Sequence, residues 1–290
     1  MDYLIKGLAL DNNIRVYIAN TTDTINELKK RHDLWPGALS VLGKTLTITS
    51  IMGGMLKENH RVSVAIKTNG QVGNVYADAY FDGRIRGYLQ NPHVNFINHQ
   101  DNTLDDRFSL GSEGIIQVIK DLNLKAMFTS QVPLTYFDLA KDFAYYFNTS
   151  EHTPSAVSVG VLVGEDNYAI ASGGFVIQLM PQTPEYIIDF LEDRINELPP
   201  MSKLLNTHQN LEDILTTIFG SNYQIIEKLP LKFTCSCSKE RFANGIVSLG
   251  KEEITQIIEE QGDIETVCHY CREKYYFNKD ELLDLLNKSK

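Results

Sequence analysis

Phe233-Thr-Cys235-Ser-Cys237-Ser-Lys239 and Val267-Cys268-His-Tyr-Cys271-Arg272 hold all four cysteines of a 290-residue chain. None occurs in the first 234 positions. Two closely spaced thiol pairs from separate stretches can supply the four corners of a tetrahedral zinc site. The intervening segment carries two short helix patterns around Leu249-Gly250, so it is a folded excursion and not a random tether. In a reducing compartment stable structural disulfides are not expected, and four clustered thiols point to a metal site or to redox chemistry. A purely structural zinc site and a redox centre both fit this pattern. His269 lies inside the second pair and offers another ligand, although four cysteines leave it the role of an exposed turn residue.

Around these pairs, Phe233–Lys290 reads as a strand, two short helices, the Cys268 turn, a strand over Tyr275–Phe277 and a helix over Lys279–Asn287. A segment this short with few large apolar groups is marginal by itself. Zinc held by four thiolates contributes on the order of 10 kcal/mol to such a unit. Its fold should therefore depend on the metal, and oxidation of the thiolates would act as a switch.

Upstream, residues 180–232 read as a helical linker. Pro184–Leu198 sets Ile187, Ile188, Phe190, Leu191 and Ile195 against Glu192, Asp193 and Arg194, and Pro199-Pro200 stops it. Asn210 caps Leu211–Phe219, with Gly220 at the C′ position. Pro181–Lys232 carries eight acids against four bases, with apolar helix faces that need a neighbour. Ile187, Phe190, Leu191 and Ile195 are the candidate residues for binding apolar partners.

Residues 1–179 read as a mixed sheet-and-helix core of α+β class. Strands are expected at Ile14–Ala19, Val62–Lys67, Asn74–Ala79, Ile85–Leu89 and Ile115–Lys120, with a hairpin turn at Asp82-Gly83. A further hairpin joins Ser155–Val163 to Tyr168–Ser172, and Phe175–Leu179 forms another apolar strand. Thr24-x-x-Glu27 resembles a capping box opening a helix to about His32, and Asp33 is the expected cap of the next helix, with Pro36 in its first turn. Asp138–Phe147 reads as a helix, and residues 91–109 as a long polar surface loop.

Charge and motif spacing exclude several functions. A net charge of −10 disfavours nucleic acid and anionic membranes, and Leu231–Lys290 alone, with nine bases and eleven acids, is no basic patch. The first ten residues lack a signal-peptide core, and the apolar run Leu34–Leu56 carries Lys44 with many Ser, Thr and Gly, so it reads as a buried helix. The expected location is the cytosol. Gly37–Thr45 misses a P-loop by one residue between its glycines and follows Trp35-Pro36 instead of a strand, so no nucleotide is expected. Ser150-Glu151-His152 are adjacent residues that do not build a hydrolase triad, and no catalytic residues are assigned. Two rival readings of the cysteines stay open. A thiol oxidoreductase would use Cys268-x-x-Cys271, but it lacks βαβ surroundings and leaves the other pair unexplained. A zinc-ribbon interaction module would bind a partner without redox switching.

The stretch FTCSCSKERFANGIVSLGKEEITQIIEEQGDIETVCHYCREKYYFNKDEL resembles the C-terminal zinc domain of the 33-kDa heat-shock chaperone family. Ser112-Glu113-Gly114, Tyr145-Tyr146, Thr149-Ser150-Glu151 and Gly173-Gly174-Phe175 followed by Gln178-Leu179-Met180-Pro181 are similar to runs of that family. Two positions depart from it: Arg272 stands where the family often has Gly, and His152 where Gln is usual. The resemblance implies a redox-regulated, ATP-independent holdase that is not an enzyme. One zinc would be held by Cys235, Cys237, Cys268 and Cys271 in the inactive reduced form. Oxidation would form Cys235–Cys237 and Cys268–Cys271 disulfides, release zinc and unfold tail and linker. Unfolding client proteins would then bind, and the active form would dimerise.

Overall fold

Alternating burial of Leu4, Ile5, Gly7 and Ala9 makes the first residues a strand, β1 (Tyr3–Ala9), which the sequence reading did not include. It turns through Leu10, Asp11 and Asn12, all at positive φ, into β2 (Ile14–Asn20). α1 (Thr22–His32) follows. Its free amides are not satisfied by the expected Thr24–Glu27 box: the Asp2 carboxylate accepts from Asp23 N at 3.0 Å and Thr24 N at 2.7 Å. Asp33 is also not a helix start. It closes α1 in the left-handed region at φ +52°, and Trp35 precedes α2 (Pro36–Gly54). α2 is buried along almost its whole length, as the Leu34–Leu56 run predicts. Among the described residues no helix is long and apolar enough to cross a membrane. Lys44, of the near-miss P-loop, pairs with the buried Asp106 carboxylate.

The computed structural model describes residues 1–95, 97–98, 103–208 and 210–289. After α2 come β3 (Arg61–Thr68), β4 (Val75–Tyr80) and β5 (Arg84–Leu89), with Gly83 at φ +82° in the expected hairpin turn. The described residues of 91–109 are more than a polar loop. They hold β6 (Ile97–Asn98), β7 (Thr103–Leu104) and the start of α3 (Asp106–Leu110), while positions 96 and 99–102 of that expectation lie outside the described residues. Then follow β8 (Gly114–Asp121), β9 (Phe128–Pro133), α4 (Leu139–Thr149), β10 (Ser155–Val163) and β11 (Ala169–Leu179). β11 merges the two expected strands by running straight through Gly173-Gly174. Tyr146 and Phe147 pack in the core.

Two sheets result. With β12 (Tyr223–Pro230) and β13 (Lys232–Phe233) from further along the chain, the first has the order β10-β11-β2-β1-β12 and the second β13-β5-β4-β3-β8-β9. α2 packs between them in a core that joins Leu4 and Val176 of the first sheet to Val62, Val64 and Ile116 of the second. The opposite face of the first sheet carries Ile5, Val16, Ile18, Phe175 and Ile177, and α5 (Glu185–Glu197), α6 (Met201–Thr207) and α7 (Leu211–Phe219) cover it. α6 comes so near β10 that a Cβ on Gly160 would meet Ser202 N at 2.7 Å.

The segment 180–232 is not helical throughout. Tyr223–Pro230 is a strand, β12, paired antiparallel along the whole of β1, and β13 (Lys232–Phe233) adds in parallel to β5. An open edge next to β1 offers unpaired amides and carbonyls, and this segment satisfies them. By its contacts the chain divides into Met1–Thr234 and Cys235–Lys290, so residues 180–234 sit in the first unit.

Candidate metal centre

The second unit is built from α8 (Lys239–Val247), α9 (Lys251–Glu260), the hairpin of β14 (Ile264–Val267) and β15 (Lys274–Phe277), and α10 (Lys279–Lys288). Ser238 caps α8 and Asn278 with Glu281 forms a capping box on α10. Its buried hydrophobic core consists of Ile246, Ile254, Phe277, Leu282 and Leu285.

The cysteines enter from two directions. Cys235 and Cys237 lie in non-helical backbone ahead of α8, half-buried, with Ser236 exposed between them. Alternation in extended chain puts residues i and i+2 on one side. Arg241 of α8 fixes this loop by donating from Nη1 to both Ser236 O and Ser236 Oγ at 2.9 Å. Cys268 and Cys271 occupy the β14–β15 turn and are buried. That turn is closed by Cys268 N to Glu273 O at 2.9 Å and Arg272 N to Cys268 O at 2.8 Å. It places Arg272 at φ +61°, the left-handed region that favours glycine.

All four Sγ atoms lie within 4.8 Å of one another. Cys235 Sγ is 3.7 Å from Cys268 Sγ, and Cys237 Sγ is 3.3 Å from Cys271 Sγ. A tetrahedron of metal–sulfur bonds of about 2.3 Å has sulfur–sulfur edges of about 3.8 Å, so the donor set fits a four-thiolate ion. No disulfide joins these four cysteines. His269 is exposed.

Protonation is uneven across the cluster. Burial pushes the Cys235 and Cys271 thiols up, with further upward pressure from neighbouring thiols. Burial also acts upward on Cys237, but hydrogen bonds from Tyr275, Cys271, Cys235 and Cys268 outweigh it and hold this thiol below its ordinary value. Tyr275 moves up, chiefly because its hydroxyl bonds Cys237. Four thiolates in this volume need a cation to offset their charge, and a bound metal ion would supply it.

Of the candidate partner-binding residues, Ile187 and Leu191 are buried against the first sheet and Ile195 is partly buried there. Phe190 is 47% exposed and Tyr186, a turn earlier, 72%. Sequence reasoning missed Tyr275 and Arg241, entered only as a strand residue and a base. The signal for Tyr275 was its position just past the Cys268–Cys271 turn.

Fold and site together define an α+β protein with a four-cysteine C-terminal centre. A family model described as Hsp33 protein matches residues 2–278. The 33 kDa chaperonin of Bacillus pumilus is 47% identical over 285 residues, 98% of each chain. That of Bacillus subtilis is 45% identical over 289 residues, 100% of this chain and 99% of the other. A crystal structure of the 33 kDa chaperonin from Thermotoga maritima matches with a TM-score of 0.92 at 34% identity, covering 99% of this chain and 98% of that one. The chain belongs to the Hsp33 family.

Proposed function

We propose that this chain is a redox-regulated, ATP-independent holdase of the cytosol that binds unfolding proteins under oxidative stress and catalyses no reaction. The observation that carries the reading is four cysteine sulfurs within 4.8 Å in a unit whose core holds five buried hydrophobics. Cys235, Cys237, Cys268 and Cys271 would hold one zinc per chain, which would neutralise their charge and tie the loop before α8 to the β14–β15 turn. A thiolate attacks one oxygen of peroxide, forming an S–O bond and breaking O–O, and hydroxide leaves. A second thiolate attacks that sulfur, forming the disulfide and expelling the second hydroxide. The pairs are Cys235–Cys237 and Cys268–Cys271, as the family resemblance implies. Two disulfides leave no thiolate to hold the ion, and a unit with so small a core loses its fold.

The division of labour proposed is a stable core over 1–179, a yielding linker over 180–232 and a switch over 233–290. Opening of the linker would uncover Ile187, Leu191 and Ile195 beside Phe190, giving clients an apolar face within an acidic segment that keeps the opened chain in solution. Self-association of opened chains into a dimer follows from the same exposed face. The test follows zinc release with a colorimetric chelator and suppression of aggregation of a heat-unfolded client during peroxide treatment. Both signals should rise together without ATP. Equal suppression by reduced and oxidised protein would rule out the switch.

A further inference from the structure

We propose that Tyr275 is a positioning residue of the cysteine cluster: its hydroxyl clamps the Cys237 sulfur, strengthens metal retention and slows attack by oxidant on that sulfur. The inference rests on the zinc reading above. Tyr275 Oη lies 3.2 Å from Cys237 Sγ. Its ring is held independently of that bond, tilted against Phe242 of α8 at 5.0 Å between centroids and 33° between planes. Its backbone is held in the hairpin opposite Thr266, whose Oγ1 donates to Tyr275 O at 3.2 Å. The next residue, Tyr276, points the other way and is 61% exposed. Of two adjacent tyrosines, one thus bonds the sulfur and the other, on the exposed face, bonds the Glu265 carboxylate.

The chemistry follows from the donor. A phenol O–H aimed at a thiolate engages a lone pair that would otherwise attack peroxide, and it orients that lone pair's sulfur toward its three partners. Groups that orient ligands in this way change metal affinity by factors of about 10 to 100 when removed. Cys237 would therefore be protected relative to the sulfurs that lack this hydroxyl, and the first S–O bond would form elsewhere in the cluster.

Tyr275→Phe in the full chain removes the hydroxyl and keeps the ring on Phe242. Zinc affinity, read by chelator competition, should fall on the order of tenfold. Peroxide-driven zinc release should accelerate, and sulfenic acid trapped by dimedone early in oxidation should shift toward Cys237. In protein loaded with Co2+, the sulfur-to-metal charge-transfer band should move to lower energy, a change that loosened packing alone would not produce. Tyr276→Phe should leave all four readings at wild-type values. Zinc-loaded wild type with a Tyr275→Phe variant identical in affinity, release rate and cobalt spectrum would overturn this inference and leave the zinc reading standing. A reduced wild type that binds neither zinc nor cobalt would overturn both.

Discussion

Met1–Thr234 and Cys235–Lys290 solve the same problem with different means. The first buries two hydrophobic clusters, one on each face of its first sheet, and α2 is enclosed almost entirely. The second buries Ile246, Ile254, Phe277, Leu282 and Leu285, and two of its cysteines, Cys268 and Cys271, are buried as well. At about 1.5–3 kcal/mol for each fully buried side chain, five residues with eight partly buried hydrophobics around them make a small return against the ordering of a unit this long. The first unit has a core large enough to stand by itself, whereas the second is proposed to borrow stability from a bound ion. What the contrast teaches is where a chemical signal could be read: in the unit whose fold is proposed to depend on its four cysteines.

The largest effect should come from removing the borrowed part. Stripping metal from the reduced chain, or substituting Cys271→Ser, should abolish amide protection over 235–289 while β1–β5 and α2 keep theirs. The expected loss is on the order of 10 kcal/mol in the second unit. Hydrogen exchange followed by mass spectrometry checks it. Full protection of α8, α9 and α10 in metal-free protein would break the comparison at its root.

The reverse experiment weakens the first unit without touching the cysteines. Leu215 of α7 is fully buried against the first sheet. Leu215→Ala should cost about 2–5 kcal/mol and lower the melting temperature of the first unit. Zinc content should stay at wild-type level. Because α7 belongs to the segment proposed to open, this variant should also bind clients while still reduced. Calorimetry and a client-binding assay read the two outcomes. A stable Leu215→Ala protein that gains no reduced-state binding would separate linker opening from activity.

How much of this was legible beforehand divides along the same line. The cluster was readable because thiol identity and spacing carry the chemistry directly. Cys235, Cys237, Cys268 and Cys271 converge as the pattern implies. The buried α2 was also visible, since a long apolar run with a single charge has few other fates. Less visible were contacts set by distant parts of the chain. β1 has only seven residues and pairs with β12 more than two hundred positions away. No local pattern marks Asp2 as the cap of α1, and its own burial pushes its carboxyl up. Tyr223–Pro230 was read within a helical linker because its neighbours are helices, whereas sheet pairing decides its form.

A smaller effect concerns the clasp that holds α7 and β12 to β1. Glu212 accepts from Tyr3 Oη at 2.8 Å and pairs with Lys228, and Tyr3 Oη in turn accepts from Leu211 N at 3.0 Å. Burial pushes the Glu212 carboxyl up, but its bonds to Lys228 and Tyr3 prevail and its folded value is lowered. A lowered folded value means stability present above the ordinary carboxylate range and lost as pH falls through the folded value. Acidification below about pH 4.5 should therefore loosen this edge. Glu212→Gln should remove that part of the pH dependence at a cost of about 1 kcal/mol. Exchange of β12 amides against pH provides the measurement. An identical pH profile in the variant would place the acid sensitivity elsewhere.

The smallest expected effect returns to the cysteine unit and to a single backbone angle. Arg272 sits at φ +61° immediately after Cys271, with its N–H bonded to Cys268 O. A residue with a Cβ in this region carries a strain of about 1–2 kcal/mol, and glycine does not. Glycine also gains freedom in the unfolded chain, which takes back about 0.5–1 kcal/mol. Arg272→Gly should therefore stabilise the second unit by about 0.5–1 kcal/mol net. The variant should raise the melting temperature of that unit alone and delay zinc release under a fixed dose of peroxide. If the arginine side chain instead contributes attraction to the thiolate cluster, the sign reverses and zinc leaves sooner. Arg272→Ala separates the causes: it removes the charge and keeps the strain. An Ala variant like wild type with a more stable Gly variant assigns the effect to the backbone. An Ala variant that loses zinc early assigns it to charge, and the strain account fails.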